Sequence, residues 1–101
     1  MSFFKIDFVF TKTGIIKYIS HLDLMRTFTR AMRRAGLPLK FTEGYSPHPK
    51  FSIKKALKLG IESEHEEAVV GVNQLIRPDE FKSRLQEQLP EGILIKEALL
   101  S

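Results

Sequence analysis

The segment "FFKIDFVF" near the start of the chain constrains the fold most, because its hydrophobic pattern suits a β-strand rather than a helix. One set of side chains is wholly apolar and the alternate set is mixed, Phe4, Ile6, Phe8 and Phe10 against Phe3, Lys5, Asp7 and Val9. Successive side chains of a strand point to opposite faces, so this period of two predicts a strand with one buried face. A turn signal at Lys12, Thr13 and Gly14 follows, and then a short extended run, "IIKYIS".

A helical pattern begins next. Ser20, with Asp23 three residues later, resembles a capping box at the start of "HLDLMRTFTRAMRRAG", and Gly36 followed by Pro38 marks its end. On a helical wheel an apolar stripe lies opposite an arginine stripe, Leu24, Phe28, Ala31, Met32 and Ala35 against Arg26, Arg30, Arg33 and Arg34. The segment therefore predicts an amphipathic helix whose outer side is basic.

The remaining segments complete a recurrent order of elements. "LPLKFT" predicts a second strand, which "EGYSPHPK" interrupts and "KFSI" resumes. An acidic turn, "IESEHEE", then leads to a third strand, "AVVGVNQL". Gly71 in this strand weakens the pairing or marks a bulge. Pro78 begins a second helix, Pro90 and Gly92 end it, and "ILIKEALL" is a fourth strand. The order β-α-β-β-α-β predicts an α+β fold of the ferredoxin-like type, an antiparallel sheet with both helices on one face.

Length and composition limit the class of protein. A chain of 101 residues has the size of one domain, so we expect a single domain over 1–101. No apolar run approaches the roughly 20 residues of a membrane span and the start lacks the pattern of a signal peptide, which predicts a cytoplasmic protein with no membrane partner. The sequence contains no cysteine, which excludes disulfides, thiolate zinc sites and cysteine nucleophiles in this chain.

The formal charge of +4 conceals an uneven distribution along the sequence. Residues 1–60 carry twelve Lys and Arg against three Asp and Glu, whereas residues 61–101 carry four against nine. Clustered positive charge attracts polyanions, so the first part of the chain is a candidate for nucleic-acid binding. Alternatively, both parts fold into one body whose surface charges partly cancel.

The helical arginines are the first candidate site. Arg26, Arg30, Arg33 and Arg34 are spaced so that they share one side of a helix, where they could bind successive phosphates through bidentate hydrogen bonds. The lysines that follow in the sequence could extend this basic patch: Lys40, Lys50, Lys54, Lys55 and Lys58. The alternative interpretation is an ordinary solvated helix face, although Asp23 is the one acid that shares this side with the arginines.

The motif "SHLD" places a histidine and an acid in the first helical turn. His21 could act as a general base or acid near an RNA backbone. It also lies toward the apolar side of the helical wheel, which predicts a half-buried histidine at the edge of the core. Asp23 most simply completes the cap and complements the helix dipole.

The Pro-His-Pro stretch is the third candidate. Pro47 and Pro49 restrict their preceding residues to extended backbone, so His48 is carried on a stiff segment and could serve in recognition or catalysis. Tyr45 offers a ring on which a base could stack. The prolines could equally do no more than shape a crossover or an edge.

Other kinds of site find little support. The three histidines, His21, His48 and His65, show no short paired spacing, so we predict no metal site. We also predict no cofactor, because there is no glycine-rich phosphate-binding loop.

Two long signatures, "SHLDLMR…RA.RRAGLP" and "GYSPHPK.S…L.LG.ES..E", lie between Lys17 and Val72. They resemble a domain of unknown function in radical-SAM-associated bacterial proteins, where it follows a radical SAM enzyme or forms a separate protein. The resemblance implies a radical SAM enzyme as partner and a tRNA- or RNA-related role without a settled activity. It also implies that family members are longer, so that 1–101 is either the N-terminal portion of a longer member or a short version of one. The signature positions here are His21, Asp23, Arg26, Arg30, Arg33, Arg34, Gly44, Ser46, Pro47, His48, Pro49 and Lys50.

These observations favour a non-catalytic module that binds RNA, such as tRNA, or presents a substrate to a radical SAM enzyme. The chain has no three-cysteine motif for an iron–sulfur cluster, so it is not itself the radical enzyme. The expected nucleic-acid contacts form one groove, with Arg26, Arg30, Arg33, Arg34, Tyr45, His48, Lys50 and Lys54. One rival is a metal-independent ribonuclease with His21 or His48 as the acid–base group, and another is a domain that docks the radical SAM protein.

Overall fold

The computed structural model describes residues 4–56 and 58–101, so the predicted strand position Phe3 lies outside the described part. The elements, in chain order, are β1 (Phe4–Lys12), a 3₁₀ helix (Gly14–Tyr18), α1 (His21–Arg34), β2 (Phe51–Ile53), β3 (Ser63–Val72), α2 (Pro78–Gln86) and β4 (Ile95–Leu100). No helix within this described part has the length and apolar character needed to cross a bilayer.

The four strands form one sheet in the order β2-β3-β1-β4, with every neighbouring pair antiparallel. β1 is an inner strand that pairs with β3 on one side and with β4 on the other. Its Phe8 lies opposite Ala68 of β3 and also opposite Ala98 of β4. The predicted α+β class, with an antiparallel sheet and two helices, is confirmed.

The core is built around Phe8 at the centre of β1. Its ring centroid lies 5.7 Å from that of Phe28 in α1, 5.6 Å from that of Phe81 in α2 and 6.2 Å from the parallel ring of Phe51 in β2. Both helices therefore contact the same side of β1. The alternate residues of β1, including Lys5, point to the opposite side, which we call the open face of the sheet.

The ends of α1 are fixed by specific hydrogen bonds. Ser20 Oγ accepts from the backbone N–H of Asp23 at 3.1 Å, as the capping pattern predicts. At the other end, the guanidinium of Arg84 in α2 donates to the carbonyls of Ala35 and Gly36, both at 2.7 Å. Because the last carbonyls of a helix have no partner within the helix, these bonds stabilise α1 and join the two helices.

The run "IIKYIS" is not extended, which corrects the sequence prediction. Gly14 adopts φ +66° and begins the 3₁₀ helix, and its N–H donates to the Glu62 carboxylate at 2.8 Å. The backbone N–H of Gly60 donates to the Lys17 carbonyl at 2.8 Å. Contacts with residues more than 40 positions away in the sequence thus hold this segment.

The predicted acidic turn is also wrong, because β3 begins at Ser63 and pairs with the second half of β1. Lys12, assigned to a turn, is the last residue of β1 and pairs with Ser63. Its side chain is wholly buried, and Nζ donates to the Lys58 carbonyl at 3.5 Å. Gly71 marks no bulge, since it pairs regularly with Lys5 and the shifts in register lie at the other end of β1.

We predict that Gly92→Ala destabilises the protein more than Gly44→Ala. Both glycines have positive φ, +101° and +115°, so alanine at either position strains the backbone by about 1–3 kcal/mol. A methyl group at Gly92 would also lie 2.5 Å from the Thr13 carbonyl oxygen, whereas Gly44 has open space. We expect an additional loss of about 1–3 kcal/mol at Gly92, measured by urea unfolding. Equal losses for the two variants would contradict this account.

Candidate nucleic-acid interface

The outer side of α1 carries Arg26, Arg30, Arg33 and Arg34, all exposed, and we call this the arginine surface. They lie on one side because the buried stripe of the helix, which includes Leu24 and Phe28, packs against the sheet. Between the arginines lies a shallow depression of about 370 Å³, which Met25 and Thr29 also line. The predicted amphipathic helix with a basic outer side is therefore present.

The arginine surface forms few direct ion pairs. Arg26 forms an exposed ion pair with Asp23 at 3.4 Å. In the described part of the chain, no carboxylate lies within ion-pair distance of Arg30, Arg33 or Arg34. Arg33 instead lies over the ring of Phe41, with 5.6 Å between the guanidinium carbon and the ring centroid. Three adjacent guanidiniums thus remain available to an anionic partner.

The Pro-His-Pro stretch forms the end of a hairpin, residues 39–50, which we call the Pro-His-Pro hairpin. The backbone N–H of Thr42 donates to the His48 carbonyl, and that of Lys50 donates to the Lys40 carbonyl, both at 2.8 Å. The hairpin joins β3 through the N–H of Lys40, which donates to the Gly71 carbonyl at 2.9 Å. The predicted strand "LPLKFT" is thus one limb of this hairpin, which pairs only through single bridges in the described structure.

The His48 ring is held by its own loop. Nδ1 lies 3.2 Å from the Ser46 carbonyl oxygen and 3.4 Å from Thr42 Oγ1. A carbonyl oxygen only accepts, so its bond requires a proton on Nδ1 and leaves Nε2 directed to solvent. The residues of the hairpin tip are exposed, and Tyr45 is wholly exposed. The stretch therefore presents one ring nitrogen in a fixed orientation.

The imidazole does not face the arginine surface. Leu39 and Pro49 are buried and Phe41 packs under Arg33, so these residues lie on the helix side of the hairpin. Because side chains alternate along each extended limb, the intervening residues lie on the open-face side. These are Lys40, Thr42, His48 and Lys50.

The two candidate histidines are also far apart. His21 is half-buried at the N-terminus of α1, and its Nδ1 is buried without a hydrogen-bond partner among the described residues. Arg33, which contacts the hairpin, lies twelve residues further along α1, about 18 Å at 1.5 Å per residue. The structure therefore does not bring His21 and His48 into one acid–base site.

Lys54 lies apart from the arginine surface as well. It is on the open face, where Nζ donates to Glu67 Oε1 at 3.0 Å and the His65 ring approaches the same carboxylate at 3.4 Å. The hydrogen bond from Lys54 holds the pKa of Glu67 below its usual range, and Glu67 raises the pKa of Lys54. In the described part of the chain, no three His, Cys, Asp or Glu side chains come together to hold a metal ion.

The single groove predicted from the sequence is thus divided between two surfaces. Arg26, Arg30, Arg33 and Arg34 lie on the helix side, whereas His48, Lys50 and Lys54 lie on the open-face side. Tyr45 lies at the exposed tip of the hairpin. Sequence reasoning missed Lys5 on the open face, although its place in the polar set of the first strand was a usable signal.

We predict that Lys54→Met raises the pKa of Glu67 toward its usual range, whereas Lys55→Met does not, because Lys54 donates the hydrogen bond. A carboxylate with a lowered pKa adds stability above its unfolded pKa and loses it as the pH falls through the folded pKa. The stability difference between wild type and Lys54→Met should therefore vanish under acidic conditions. Carboxyl ¹³C NMR titration and urea unfolding against pH measure the two effects, and an unchanged Glu67 titration in Lys54→Met would contradict them.

Comparison with known proteins gives one match. A family described as "Uncharacterized protein conserved in bacteria (DUF2344)" matches residues 5–100, from β1 to β4. No curated protein and no solved structure matches the chain.

Proposed function

The chain belongs to this family of uncharacterized bacterial proteins, and we propose that it binds RNA, such as tRNA, through the arginine surface without catalysing a reaction on it. The observation that carries the proposal is the row of guanidiniums on α1, in which Arg30, Arg33 and Arg34 have no carboxylate within ion-pair distance among the described residues. Planar guanidiniums bind phosphate oxygens through two parallel hydrogen bonds, and such contacts supply most non-specific affinity for nucleic acids.

The geometry of α1 suits a phosphate backbone. Arg26, Arg30 and Arg34 follow one another at intervals of four residues, so each step advances about 6 Å along the helix. Arg33 connects this row to the Pro-His-Pro hairpin through Phe41. The wholly exposed Tyr45 at the hairpin tip offers a flat ring for an unpaired base, as aromatic side chains do in recognition of single-stranded RNA.

The separation of the histidines supports the proposal of a non-catalytic role. A metal-independent ribonuclease with two histidines needs them close to one scissile phosphate, whereas His21 and His48 lie at different ends of α1 and on different sides of the sheet. We propose that the domain holds RNA for a separate modifying enzyme in the cytoplasm. The resemblance to radical-SAM-associated proteins makes a radical SAM enzyme the first candidate for that role.

We also propose that the fold is ferredoxin-like. Its support is the strand order, in which β3 lies between β1 and β2, while β1 lies between β3 and β4. Each β-α-β unit is therefore split by a strand of the other unit, as the split β-α-β motif requires. The ring contacts of Phe8 with Phe28 and Phe81, which put both helices against one side of β1, support the same proposal.

We predict that replacing Arg30 and Arg34 together with alanine weakens tRNA binding and its dependence on salt. Each lost phosphate contact lowers the slope of log affinity against log salt by about 1, so the double variant should lose about 2. Fluorescence anisotropy with labelled tRNA, at salt concentrations of about 50 to 200 mM, measures the slope.

The matched control replaces Arg77 and Lys96 with alanine, which removes the same charge from exposed positions outside α1. Its salt slope should remain close to that of the wild type. Equal slopes for the two double variants, or no tRNA binding by the wild type at low salt, would refute the proposal.

A second function, docking of a protein partner, is favoured by an exposed apolar patch beside the N-terminus of α1. Ile15 and Tyr18 are 86% and 61% exposed, and their spacing of three aligns them on the 3₁₀ helix. Leu59 and Ile61 are 63% and 59% exposed. They flank Gly60, where a methyl group would lie 3.7 Å from the Tyr18 ring. These four side chains form the apolar patch.

The apolar patch is bordered by Lys17 and Lys58, so a complementary partner has apolar side chains surrounded by acidic ones. We propose a radical SAM enzyme as that partner, on the basis of the family resemblance. Exposed apolar groups with a polar border are typical of protein interfaces.

We predict that purified radical SAM enzymes from the same bacterium include one that co-elutes with this protein in size-exclusion chromatography after nuclease treatment. Replacing both Ile15 and Leu59 with aspartate should abolish co-elution, since charges in the apolar centre oppose burial. Leu75→Asp, at an exposed leucine beyond the end of β3, is the control and should leave the complex intact. Absence of any complex, or a complex unaffected by the double change, would rule out this docking function.

A further inference from the structure

A groove lies between α1 and the segment that follows α2, and we call it the interhelix groove. Its volume is about 520 Å³, compared with about 370 Å³ for the depression on the arginine surface. One wall is α1, with Thr27, Arg30 and Arg34, and the other wall is the segment 87–90. The hydrogen bonds from Arg84 to the end of α1 hold the two walls side by side.

Two arginines connect this groove with the arginine surface. Arg30 and Arg34 line both the interhelix groove and the depression, so they form the ridge between the two concavities. They lie about 6 Å apart along the helix axis. An RNA strand whose phosphates contact this ridge therefore passes along the opening of the groove, and a base of that strand can enter it. The edges of a base are accessible in this way when the base is unpaired.

The wall opposite the arginines carries two uncommitted polar side chains. Glu87 and Gln88 are exposed, and neither side chain forms a hydrogen bond or an ion pair within residues 4–56 and 58–101. The amide of the preceding Gln86, in contrast, donates to the Ile93 carbonyl at 2.9 Å and accepts from the Ile95 N–H at 2.7 Å. Gln86 thus fixes this wall, while the next two side chains are available to a ligand.

The carboxylate of Glu87 indicates which part of a ligand meets this wall. An ionised carboxylate only accepts hydrogen bonds, and it repels a phosphate group. The wall therefore suits a group with N–H donors, whereas the ridge of Arg30 and Arg34 suits an anion. A nucleotide unit of RNA has both parts, since its phosphate is anionic and its base carries N–H donors.

We propose that the interhelix groove binds an unpaired guanine, an inference that rests on the proposed binding of RNA by the arginine surface. On its Watson–Crick edge guanine has two neighbouring N–H donors, at N1 and N2, which the two oxygens of the Glu87 carboxylate accept together. The adjacent O6 accepts from the side-chain amide of Gln88. Leu89 and Pro90 provide an apolar surface for the ring.

The other bases of RNA fit this wall less well. Adenine and cytosine have a ring nitrogen that only accepts at the place of the guanine N1–H, and this lone pair would face the Glu87 carboxylate. Uracil has a single N–H donor between two carbonyl oxygens, so it uses one carboxylate oxygen and turns its own oxygens toward the negative charge. The groove is therefore expected to select guanine, while the arginines bind the backbone of any sequence.

The proposal is tested with two single-stranded oligouridine RNAs that differ only in one central nucleotide, guanosine or adenosine. Fluorescence anisotropy should show that the wild-type protein binds the guanosine RNA about tenfold more tightly, the effect of one bidentate base contact. Glu87→Gln should abolish this preference, because it places a donor opposite the N–H groups of guanine. The control Glu91→Gln changes the charge equally at an exposed residue outside the groove and should keep the preference. Thermal unfolding checks that both variants fold.

A second arm separates the guanine site from the binding of RNA. GMP and AMP have the same phosphate, so a ¹H–¹⁵N NMR titration with each reports the choice of base through the amide signals of Gln88 and Leu89. A preference for guanine in either arm that Glu87→Gln abolishes and Glu91→Gln keeps supports the site. No preference in either arm, or a preference that Glu87→Gln retains, overturns it. Equal binding of the two RNAs and of the two nucleotides overturns the guanine site alone, whereas selective binding of GMP without binding of RNA refutes only the RNA proposal.

Discussion

The burial of Phe8 is the contact on which the arrangement of the whole molecule depends. Its ring contacts a phenylalanine from each helix and another from β2, so these side chains bury one side of β1. A shift of one residue in β1 would place Lys5 and Asp7 in the core and expose Phe8, which makes the register strongly specified. The position of Phe8 thereby decides which side of the sheet is the open face.

This choice of side explains why the basic first part of the chain does not form one surface. The arginines of α1 lie on the solvent-facing side of the helix layer, whereas Lys5, Lys50 and Lys54 project from the opposite side of the sheet. Net charge counted along a sequence predicts attraction to anions, but it carries no information about which layer each charge occupies. The basic side chains are therefore divided between two surfaces and do not line a single groove.

Local signals predicted α1 well and failed where distant contacts decide the structure. Ser20, Gly36 and the apolar stripe act within the helix, so its start, its end and its buried side were all predictable. The acid-rich segment before Ala68 has the composition of a turn, yet it pairs with the second half of β1 and becomes a strand. The 3₁₀ helix likewise depends on Glu62, which no local pattern could connect with Gly14.

The Pro-His-Pro hairpin shows the same limit within one motif. The prolines predicted a stiff segment carrying His48, but the side to which the imidazole points depends on the bridge between Leu39 and Val72, a contact between distant residues. That bridge puts Phe41 under Arg33 and leaves His48 and Lys50 on the open-face side. The hairpin thus contributes to both basic surfaces through opposite sides of the same short backbone.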